Sequence, residues 1–237
     1  FMLKYQEIAN QIEEYIRVSK LEQGEKLPSL EDLITNYEVS KNTVIKALSI
    51  LEKNGVIYQV RGSGIFVRRQ NRKGYINLIN NKGFTDDLAD FNLSANVLEV
   101  KTILPTQEVS DNLKCSLTQE VYYVKRIRFI NKQALCIEES YFNKEYVPYL
   151  NKEIVEDSIF HYLKETLKLK VRFSDKYLRI GKLNQTEASY LNLNTHDPAL
   201  HVDELFYLMS GEPFDFSKMT YNYNHSQFFI QSSGMDK

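Results

Sequence analysis

A pair of short helices joined by a three-residue link is the feature that most constrains the fold of this chain. Pro28-Ser29, followed three residues later by Asp32, is a helix start in which the Ser hydroxyl caps a backbone N–H, and this helix is expected to end near Asn36. After the link 37–39, Ser40 is a second N-cap candidate. The apolar residues beyond it recur at helical spacing, at Val44, Ala47, Leu48 and Leu51. Two helices with so short a turn predict a helix-turn-helix.

The residues on either side complete a small domain. A further amphipathic helix is predicted before the pair, with a buried stripe that recurs every four residues, at Ile8, Ile12 and Ile16. Asn54-Gly55 ends the third helix. Two strands are then predicted at 56–60 and 65–67, around the turn Arg61-Gly62-Ser63-Gly64. Such a hairpin is the wing of a winged helix-turn-helix.

This arrangement presents side chains that suit duplex DNA. The N-terminal residues of the second helix of a helix-turn-helix face base edges in the major groove. Lys and Thr can reach bases or phosphate and Asn can pair with adenine, while glycines in the wing let the backbone approach the sugar-phosphate chain. The candidate DNA-binding residues are Ser29, Ser40, Lys41, Asn42, Thr43, Lys46, Arg61, Gly62, Ser63 and Gly64. A winged helix that binds protein instead is the alternative.

The distribution of charge supports a nucleic-acid surface, although the net charge of -1 does not. Between Asn36 and Tyr75 there are eight basic residues and two acidic ones, which is a local charge of +6. From Ile76 onward there are 18 basic and 22 acidic residues, which comes to -4. The basic character is therefore confined to a segment of the size of one domain face, as an electrostatic footprint on DNA requires.

Composition and spacing exclude several other classes of protein. No apolar run approaches the roughly 18 residues that a membrane span needs, and no signal-peptide pattern is present, so the protein is expected to be soluble and cytoplasmic. Cys115 and Cys136 are interpreted as reduced structural thiols. The four histidines lack metal-ligand spacing, and no phosphate loop or catalytic triad pattern emerges. The sequence therefore predicts no metal, no cofactor and no enzymatic activity.

Beyond a basic hinge from Arg68 to Gly74, the pattern changes to alternating strands and short helices. Six strands are predicted, near 97–104, 120–130, 134–143, 171–180, 199–209 and 214–223. Three helices are predicted, near 107–113, 157–167 and 184–192. Tight turns such as Asn131-Lys132-Gln133 favour an antiparallel sheet with helices on one side, which is an α+β ligand-binding domain.

Two arginines are the most informative feature of this second half. Period-two alternation places Arg126 and Arg128 on the same face of a strand, and a three-residue turn would bring Glu138 opposite Arg126. Glu138 could then orient one guanidinium while a ligand phosphate or carboxylate binds the other. Thr85 and Ser158 begin helices, whose N-termini favour anions. A cross-strand salt bridge on a solvated face, with ordinary helix caps elsewhere, is an equally good interpretation from chemistry alone.

The segment from Lys4 to Val67 resembles the DNA-binding domain of the GntR family of bacterial regulators. The motifs that carry the resemblance are Tyr5-Gln6-Glu7-Ile8-Ala9, Gly24-Glu25-Lys26-Leu27-Pro28-Ser29, Val39-Ser40-Lys41-Asn42-Thr43-Val44, Ala47-Leu48, Leu51-Glu52, Gly55-Val56-Ile57 and Arg61-Gly62-Ser63-Gly64-Ile65-Phe66-Val67. The resemblance implies dimeric binding to palindromic operators. Glu31 and Ile45 stand where the family often has arginines, which shifts the expected DNA contacts toward Lys41, Asn42, Lys46 and Arg61.

The remainder resembles the UTRA effector domain of the HutC subgroup, which has a chorismate lyase-like fold. The matching motifs are Gly83-Phe84-Thr85-Asp86-Asp87, Arg126-Ile127-Arg128, Glu138-Glu139-Ser140-Tyr141, Ser158-Ile159-Phe160, and Asp215 with Tyr221. By this similarity Thr85, Arg126, Arg128 and Ser158 would hold an anionic head group. Glu138, Asp215 and Tyr221 would contact a sugar-like body, and Phe84 and Phe160 complete the predicted effector site. Asp215 stands where many relatives have Glu.

These observations predict a two-domain α+β regulator. Residues 1–69 would form the winged helix-turn-helix, 70–82 a linker and 83–237 the effector-binding domain. The expected function is a homodimeric repressor that binds the operator of a carbohydrate-utilisation operon and responds to a small anionic effector, such as a sugar phosphate. A chorismate lyase-like enzyme and a DNA-binding protein that senses no effector are the two alternatives.

Overall fold

The structure, a computed structural model, describes residues 3–68, 74–78, 88 and 91–230. These residues divide into two compact units, one ending at Arg68 and the other comprising the described residues from Gly74 to Ile230. Each unit has its own apolar core. Residues 1–2, 69–73, 79–87, 89–90 and 231–237, which include most of the predicted linker, lie outside the description.

The first unit contains three helices and a hairpin, as the sequence predicts. Its elements are α1 (Lys4–Val18), α2 (Leu30–Tyr37), α3 (Lys41–Lys53), β1 (Ile57–Val60) and β2 (Gly64–Val67). Ser29 caps α2 and Ser40 caps α3, each through its hydroxyl oxygen. Glu38 adopts a left-handed conformation, with φ of 51°, and this ends α2 within the link. The apolar stripes of all three helices meet in one core.

The hairpin is closed by Arg61-Gly62-Ser63, and the backbone N–H of Ser63 donates to the carbonyl of Val60 at 3.0 Å. Gly62 has φ of 78°, a conformation that favours glycine. The segment before α2 pairs with β2, since the N–H of Leu27 donates to the carbonyl of Ile65 at 2.8 Å. Backbone hydrogen bonds therefore hold the wing to the segment that leads into α2.

The second unit is built on an antiparallel sheet of six strands in the order β4-β5-β6-β9-β8-β7. The strands are β4 (Leu93–Ile103), β5 (Val121–Ile130), β6 (Gln133–Asn143), β7 (Val171–Lys182), β8 (Pro198–Leu208) and β9 (Pro213–Asn222). All six were predicted. Two short strands that the sequence did not indicate, β3 (Tyr75–Asn77) and β10 (Gln227–Phe229), pair in parallel beside it.

Helices cover both faces of this sheet, so the prediction of helices on one side is wrong. One face packs against α4 (Gln107–Leu113) and α7 (Gln185–Leu191). The other packs against α5 (Lys152–Glu156), α6 (Ile159–His161) and a π-helical turn at Tyr162–Thr166. The physical reason is that the central strands carry apolar residues in both alternation classes, as Val124 and Ile127 of β5 illustrate.

The hairpin between β5 and β6 has the predicted register, but its turn differs from the predicted one. Its turn has two residues, Asn131 and Lys132, with φ of 49° and 68°, and not three. A bulge at Leu135 adds the missing residue, because Phe129 pairs with Ala134 whereas Arg128 pairs with Cys136. Arg126 therefore lies opposite Glu138, as the sequence predicted, although the reasoning about the turn was wrong.

Candidate functional sites

The start of α3 presents its polar side chains to solvent. Lys41, Asn42 and Lys46 are exposed, whereas Val44 and Ala47 of the same helix are buried in the core. The Lys46 ammonium lies 5.7 Å from the centroid of the Tyr5 ring, an interaction that positions it without removing it from solvent. This surface could enter a major groove with its charged and amide groups directed outward.

The three candidate hydroxyl groups near the helix starts are engaged in capping. Ser40 Oγ accepts from the Thr43 backbone N–H at 3.2 Å and lies 2.9 Å from Thr43 Oγ1. Ser29 Oγ donates to Asp32 Oδ2 at 2.7 Å, and this hydrogen bond holds the pKa of Asp32 below its usual value. An ionised carboxylate beside Ser29 repels phosphate, so Ser29 suits a structural role better than a DNA contact.

The wing exposes Arg61, Gly62 and Ser63, while Gly64 is half-buried. A Cβ atom on Gly64, whose φ is 129°, would lie 2.6 Å from Lys26 Cε, so this glycine lets the lysine stem pass over the strand. Lys26 is a basic group next to the wing that the list of DNA-binding candidates missed. The position of Lys26 in the Gly24–Ser29 motif was the sequence signal that could have indicated it. Only the pairing of Lys26 with Phe66 of β2 shows that Lys26 lies next to the wing.

Arg126 and Glu138 form a buried, bidentate ion pair at the centre of the second unit. Arg126 Nε donates to Glu138 Oε2 at 2.8 Å and Arg126 Nη2 to Glu138 Oε1 at 2.9 Å. Arg126 Nη1 donates to the backbone carbonyls of Val155 at 2.7 Å and Asp157 at 3.3 Å. Only 3% of Arg126 is exposed, so this guanidinium is fixed between the sheet and the C-terminal end of α5.

Arg128 lies on the same face as Arg126 and nearer to solvent. Its Nη1 is 3.7 Å from Glu138 Oε2, so one carboxylate faces two guanidinium groups. Burial lowers the pKa of Arg128, against the opposing effect of Glu138. Burial also opposes ionisation of Glu138, yet the two arginines hold the pKa of Glu138 below its usual value. The cluster of these three side chains therefore carries a net positive charge.

A chain of hydroxyl groups leads from this cluster to Asp215. Ser140 Oγ lies 2.7 Å from Ser217 Oγ, and Ser217 Oγ donates to Asp215 Oδ1 at 2.7 Å. Asp215 is fully buried, and its Oδ2 has no hydrogen-bond partner among the described residues. Burial raises the pKa of Asp215 well above its usual value, with Glu204 and Glu138 adding to the shift. Asp215 thus offers a buried polar atom to whatever enters the site.

A second ion pair that the sequence analysis missed, with 14% of each side chain exposed, completes this face. Lys176 Nζ lies 2.5 Å from Glu204 Oε1, which also accepts from Ser174 Oγ at 2.8 Å. Burial raises the pKa of Glu204, and Lys176 acts in the opposite direction. Lys176 and Glu204 pair across β7 and β8, on the side of the sheet that carries Asp215. The period-two alternation of β7 and β8 was the sequence signal that could have indicated this ion pair.

The remaining candidates lie around the same face, with two exceptions. Tyr221 is buried with its ring 4.7 Å from that of Phe228, and the Phe160 ring is 4.9 Å from that of Phe206. Ser158 Oγ accepts from the His161 N–H at 3.2 Å and follows directly on Asp157, whose carbonyl contacts Arg126. Phe84 and Thr85 lie outside the described residues.

One unit has a solvent-facing helix with a wing, and the other has a polar sheet face with paired charges. This combination defines a class of protein. Such chains are transcription regulators in which one domain binds DNA and another binds a small molecule. Comparison with known families agrees. Residues 4–67 match the family described as "Bacterial regulatory proteins, gntR family", and residues 89–227 match the UTRA domain. The chain belongs to the GntR family of regulators and carries a UTRA domain.

Individual relatives share this organisation over nearly the whole chain. The chain is 53% identical over 232 residues to the HTH-type transcriptional regulator YydK of Bacillus subtilis (strain 168), covering 98% of both. A crystal structure of YydK superposes with a TM-score of 0.89 at 52% identity, covering 98% of this chain and 100% of that one. The mannosyl-D-glycerate transport/metabolism system repressor MngR of Escherichia coli (strain K12) is 26% identical, covering 95% of this chain and 94% of MngR.

The family assigns the coarse function. The protein is a transcription regulator that binds DNA through its N-terminal domain and a small-molecule effector through its UTRA domain. It belongs with regulators and not with enzymes, so the lyase-like alternative is wrong. In the part of the chain that the structure describes, no helix is long and apolar enough to cross a membrane, and no group of His, Cys, Asp or Glu could hold a metal ion.

Proposed function

We propose that the protein is a cytoplasmic, homodimeric repressor of a carbohydrate-utilisation operon, whose operator binding is modulated by a small anionic effector such as a sugar phosphate. Residues 1–69 would bind the operator, 70–82 would link the domains and 83–237 would bind the effector. The name of MngR, a repressor of a mannosyl-D-glycerate transport and metabolism system, supports the carbohydrate assignment by similarity. Lys41, Asn42, Lys46 and Arg61 are the proposed DNA contacts, with Thr43, Ser63 and Lys26 beside them.

The charge balance of the buried face carries this proposal. Arg126, Arg128 and Lys176 supply three positive charges, and Glu138 and Glu204 supply two negative charges. The raised pKa of Asp215 favours its neutral form, so the named groups leave an excess of one positive charge. An excess charge in a site removed from water favours an anion strongly, because little solvent competes. A phosphate or carboxylate that contacts Arg128 would supply the missing negative charge.

The polar groups beyond the arginines support a hydroxyl-rich body for the same ligand. Asp215 Oδ2 lacks a partner among the described residues, and a ligand hydroxyl could supply one. Ser140 and Ser217 connect Asp215 to the arginine cluster, so an anionic group and a hydroxyl group would bind at two ends of one continuous polar surface. A phosphorylated sugar has both groups in one molecule.

Thermal-shift measurements with and without effector test the proposal. A panel of sugar phosphates and the same sugars without phosphate is added to the wild-type protein and to Arg128→Gln. We expect at least one phosphorylated sugar to raise the melting temperature of the wild type, because a ligand stabilises the state that binds it. Its unphosphorylated counterpart should have little effect, and Arg128→Gln should lose the shift while it still binds DNA.

Arg172→Gln is the matched control, since Arg172 is an exposed arginine of β7 and its loss leaves the buried face unchanged. It should keep the full thermal shift. Stabilisation by neutral sugars alone, or an undiminished response of Arg128→Gln to the phosphorylated sugar, would contradict the anionic effector. Arg128 is a better target than Arg126, because removal of a partner from the buried Arg126–Glu138 pair would itself destabilise the domain.

A further inference from the structure

A row of polar side chains extends the proposed effector face across four strands. Ser140 of β6, Ser217 of β9, Glu204 of β8 and Lys176 of β7 lie directly opposite one another in successive strand pairs. Residues paired in this way point to the same face of a sheet. The polar surface therefore continues from the arginine cluster, past Asp215, to the strand at this edge of the sheet.

This polar surface is longer than one phosphorylated sugar. Neighbouring strands are roughly 4.8 Å apart, so β5, which carries Arg128, and β9, which carries Asp215, are separated by roughly 10 Å. That separation is comparable with the length of one hexose and its phosphate. Glu204 and Lys176 lie one and two strands further on, which adds roughly 5 to 10 Å. An effector that reaches all of these groups therefore needs a second unit.

The ion pair of Lys176 and Glu204 is a costly way to stabilise a sheet. Only 14% of each side chain is exposed, so both charged groups have lost most of their hydration. Largely buried ion pairs can often be replaced by apolar side chains of similar volume without loss of stability. A role in ligand binding therefore accounts for these two charges better than a role in folding does.

The same pair suits a neutral, hydroxyl-rich group and not a further ion. Its two charges cancel, and Lys176 would repel a ligand ammonium as Glu204 would repel a carboxylate or phosphate. A hydroxyl group can accept from an ammonium and donate to a carboxylate at the same time. Lys176 Nζ and Ser174 Oγ both contact Glu204 Oε1, and a carboxylate accepts about four hydrogen bonds, so Glu204 has acceptor capacity left for a ligand.

Phe206 supplies the apolar surface that a sugar ring also needs. It lies directly opposite Asp215 and two residues after Glu204, so it shares their face of the sheet. Its ring centroid is 6.0 Å from Lys176 Nζ and 4.9 Å from the ring of Phe160. A pyranose has C–H groups on its faces and hydroxyl groups around its edge, a combination that an aromatic ring beside a polar pair can bind.

We propose that Lys176, Glu204 and Phe206 form a second subsite that binds a neutral sugar unit, so that the effector is a disaccharide phosphorylated on one ring. The inference rests on the proposed function, which assigns the phosphate to Arg128 and a hydroxyl group of the first ring to Asp215. It adds a requirement that the proposed function lacks, because the effector has to be two sugar units long. A hexose phosphate would fill the first subsite only and bind more weakly.

Calorimetric titration of the full chain with phosphorylated sugars of two lengths tests the second subsite. The panel contains the phosphates of glucose, mannose and galactose, and disaccharides of these hexoses, in α and β linkage, that carry phosphate on one ring. At least one disaccharide phosphate should bind the wild type roughly tenfold or more tightly than every monosaccharide phosphate, because the second ring adds hydrogen bonds and apolar contact. A monosaccharide phosphate that binds as tightly as the best disaccharide phosphate would overturn the subsite.

The double variant Lys176→Met/Glu204→Gln removes both charges at similar side-chain volume, so it leaves no unpaired charge in the sheet. It should bind the disaccharide phosphate roughly tenfold more weakly, whereas its affinity for monosaccharide phosphates should stay within about threefold of the wild type. Glu204→Gln alone, which keeps the shape of the side chain, should show the same selective loss to a smaller extent. A loss that is equal for the two lengths would overturn the assignment of this pair to the second unit.

Lys125→Met/Glu139→Gln is the matched control, because Lys125 and Glu139 form an ion pair of 3.2 Å between neighbouring strands on the opposite face of the sheet. Its affinities for sugars of both lengths should equal those of the wild type. Melting temperature without ligand and operator binding establish that each variant folds. Failure of the wild type to bind any phosphorylated sugar would overturn the effector class of the proposed function, whereas equal affinity for the two lengths would overturn the second subsite alone.

Discussion

Two buried carboxylates of the same sheet face show how differently the fold treats an acidic side chain. Glu138 receives two donors from Arg126, so its ionised form is stabilised at 2.8 and 2.9 Å. Asp215 receives one hydroxyl hydrogen bond from Ser217, and its other oxygen has no partner among the described residues. Both acids are buried, so the opposite shifts of their pKa values come from their different charged and hydrogen-bonding partners.

Asp215→Asn should stabilise the effector-free protein increasingly as pH rises. The folded-state pKa of Asp215 lies well above the ordinary value of 3.8, so the folded protein holds this proton more tightly than the unfolded chain does. The resulting stability is full below pH 3.8 and is lost as pH rises through the folded-state pKa. Asn cannot ionise, so the free energy of unfolding of the variant should gain on that of the wild type as pH rises from 4 to 8.

Urea unfolding at a series of pH values between 4 and 8 measures this difference. Asp203→Asn serves as the control for the loss of an acidic group, because Asp203 is partly exposed on the opposite face of the sheet. A gap between wild type and Asp215→Asn that stays constant over the whole series would show that Asp215 is not the group whose proton is retained.

Individual site residues were predictable to different degrees. Arg126, Arg128 and Glu138 follow from strand alternation and an antiparallel hairpin, and the structure places all three together. Lys176 and Glu204 have the same alternation, but the sequence does not show that β8 lies between β7 and β9, which brings this pair to the face of Asp215. Non-local strand order, and not side-chain chemistry, was the missing information.

At the scale of elements, local signals predicted helices and strands well and connections less well. The first unit was predictable because its signals are local. The caps Ser29 and Ser40 and the turn glycines each determine where an element begins or ends within a few residues. The bulge at Leu135 and the parallel pairing of β3 with β10 depend on contacts between distant segments, which no local pattern encodes. The predicted helix at 157–167 is a short α6 followed by a π-helical turn.

The orientation of α3 leads to a prediction for operator binding. Lys46→Ala should weaken binding and lower the slope of log affinity against log salt concentration by about one, because one phosphate contact and its released counterion are lost. The duplex used is the one that the wild-type protein selects from a random pool, and binding is followed by fluorescence anisotropy at several salt concentrations.

Lys53→Ala is the matched control, since Lys53 lies in the last turn of the same helix, away from the N-terminal residues that would enter the groove. Its affinity and salt slope should equal those of the wild type. A Lys46→Ala protein that also retains both values would refute the assignment of α3 as the recognition helix.

At the scale of the whole molecule, two sites on one chain can influence each other only through a difference in affinity between two arrangements of the protein. The coupling is reciprocal, so operator DNA must change effector affinity by the same factor by which effector changes operator affinity. We expect this factor to lie between about 5 and 150.

Titrating effector into protein with and without saturating operator duplex, and operator with and without saturating effector, measures the factor twice. The two values should agree within error. Arg128→Gln should reduce both to one, because it removes effector binding while DNA binding persists. A large factor in one direction and none in the other would mean that the added compound competes at the DNA surface and does not act from the UTRA domain.

The burial of the polar face has a kinetic consequence. Arg126, Glu138 and Asp215 are each less than 10% exposed, and the carbonyls of Val155 and Asp157 close over the guanidinium. Arg128 lies nearer to solvent, but an incoming molecule can reach Arg126 and the fully buried Asp215 only after the structure around them opens. Association should then follow a gated course, in which the observed rate levels off at high ligand concentration because opening, and not collision, sets the pace.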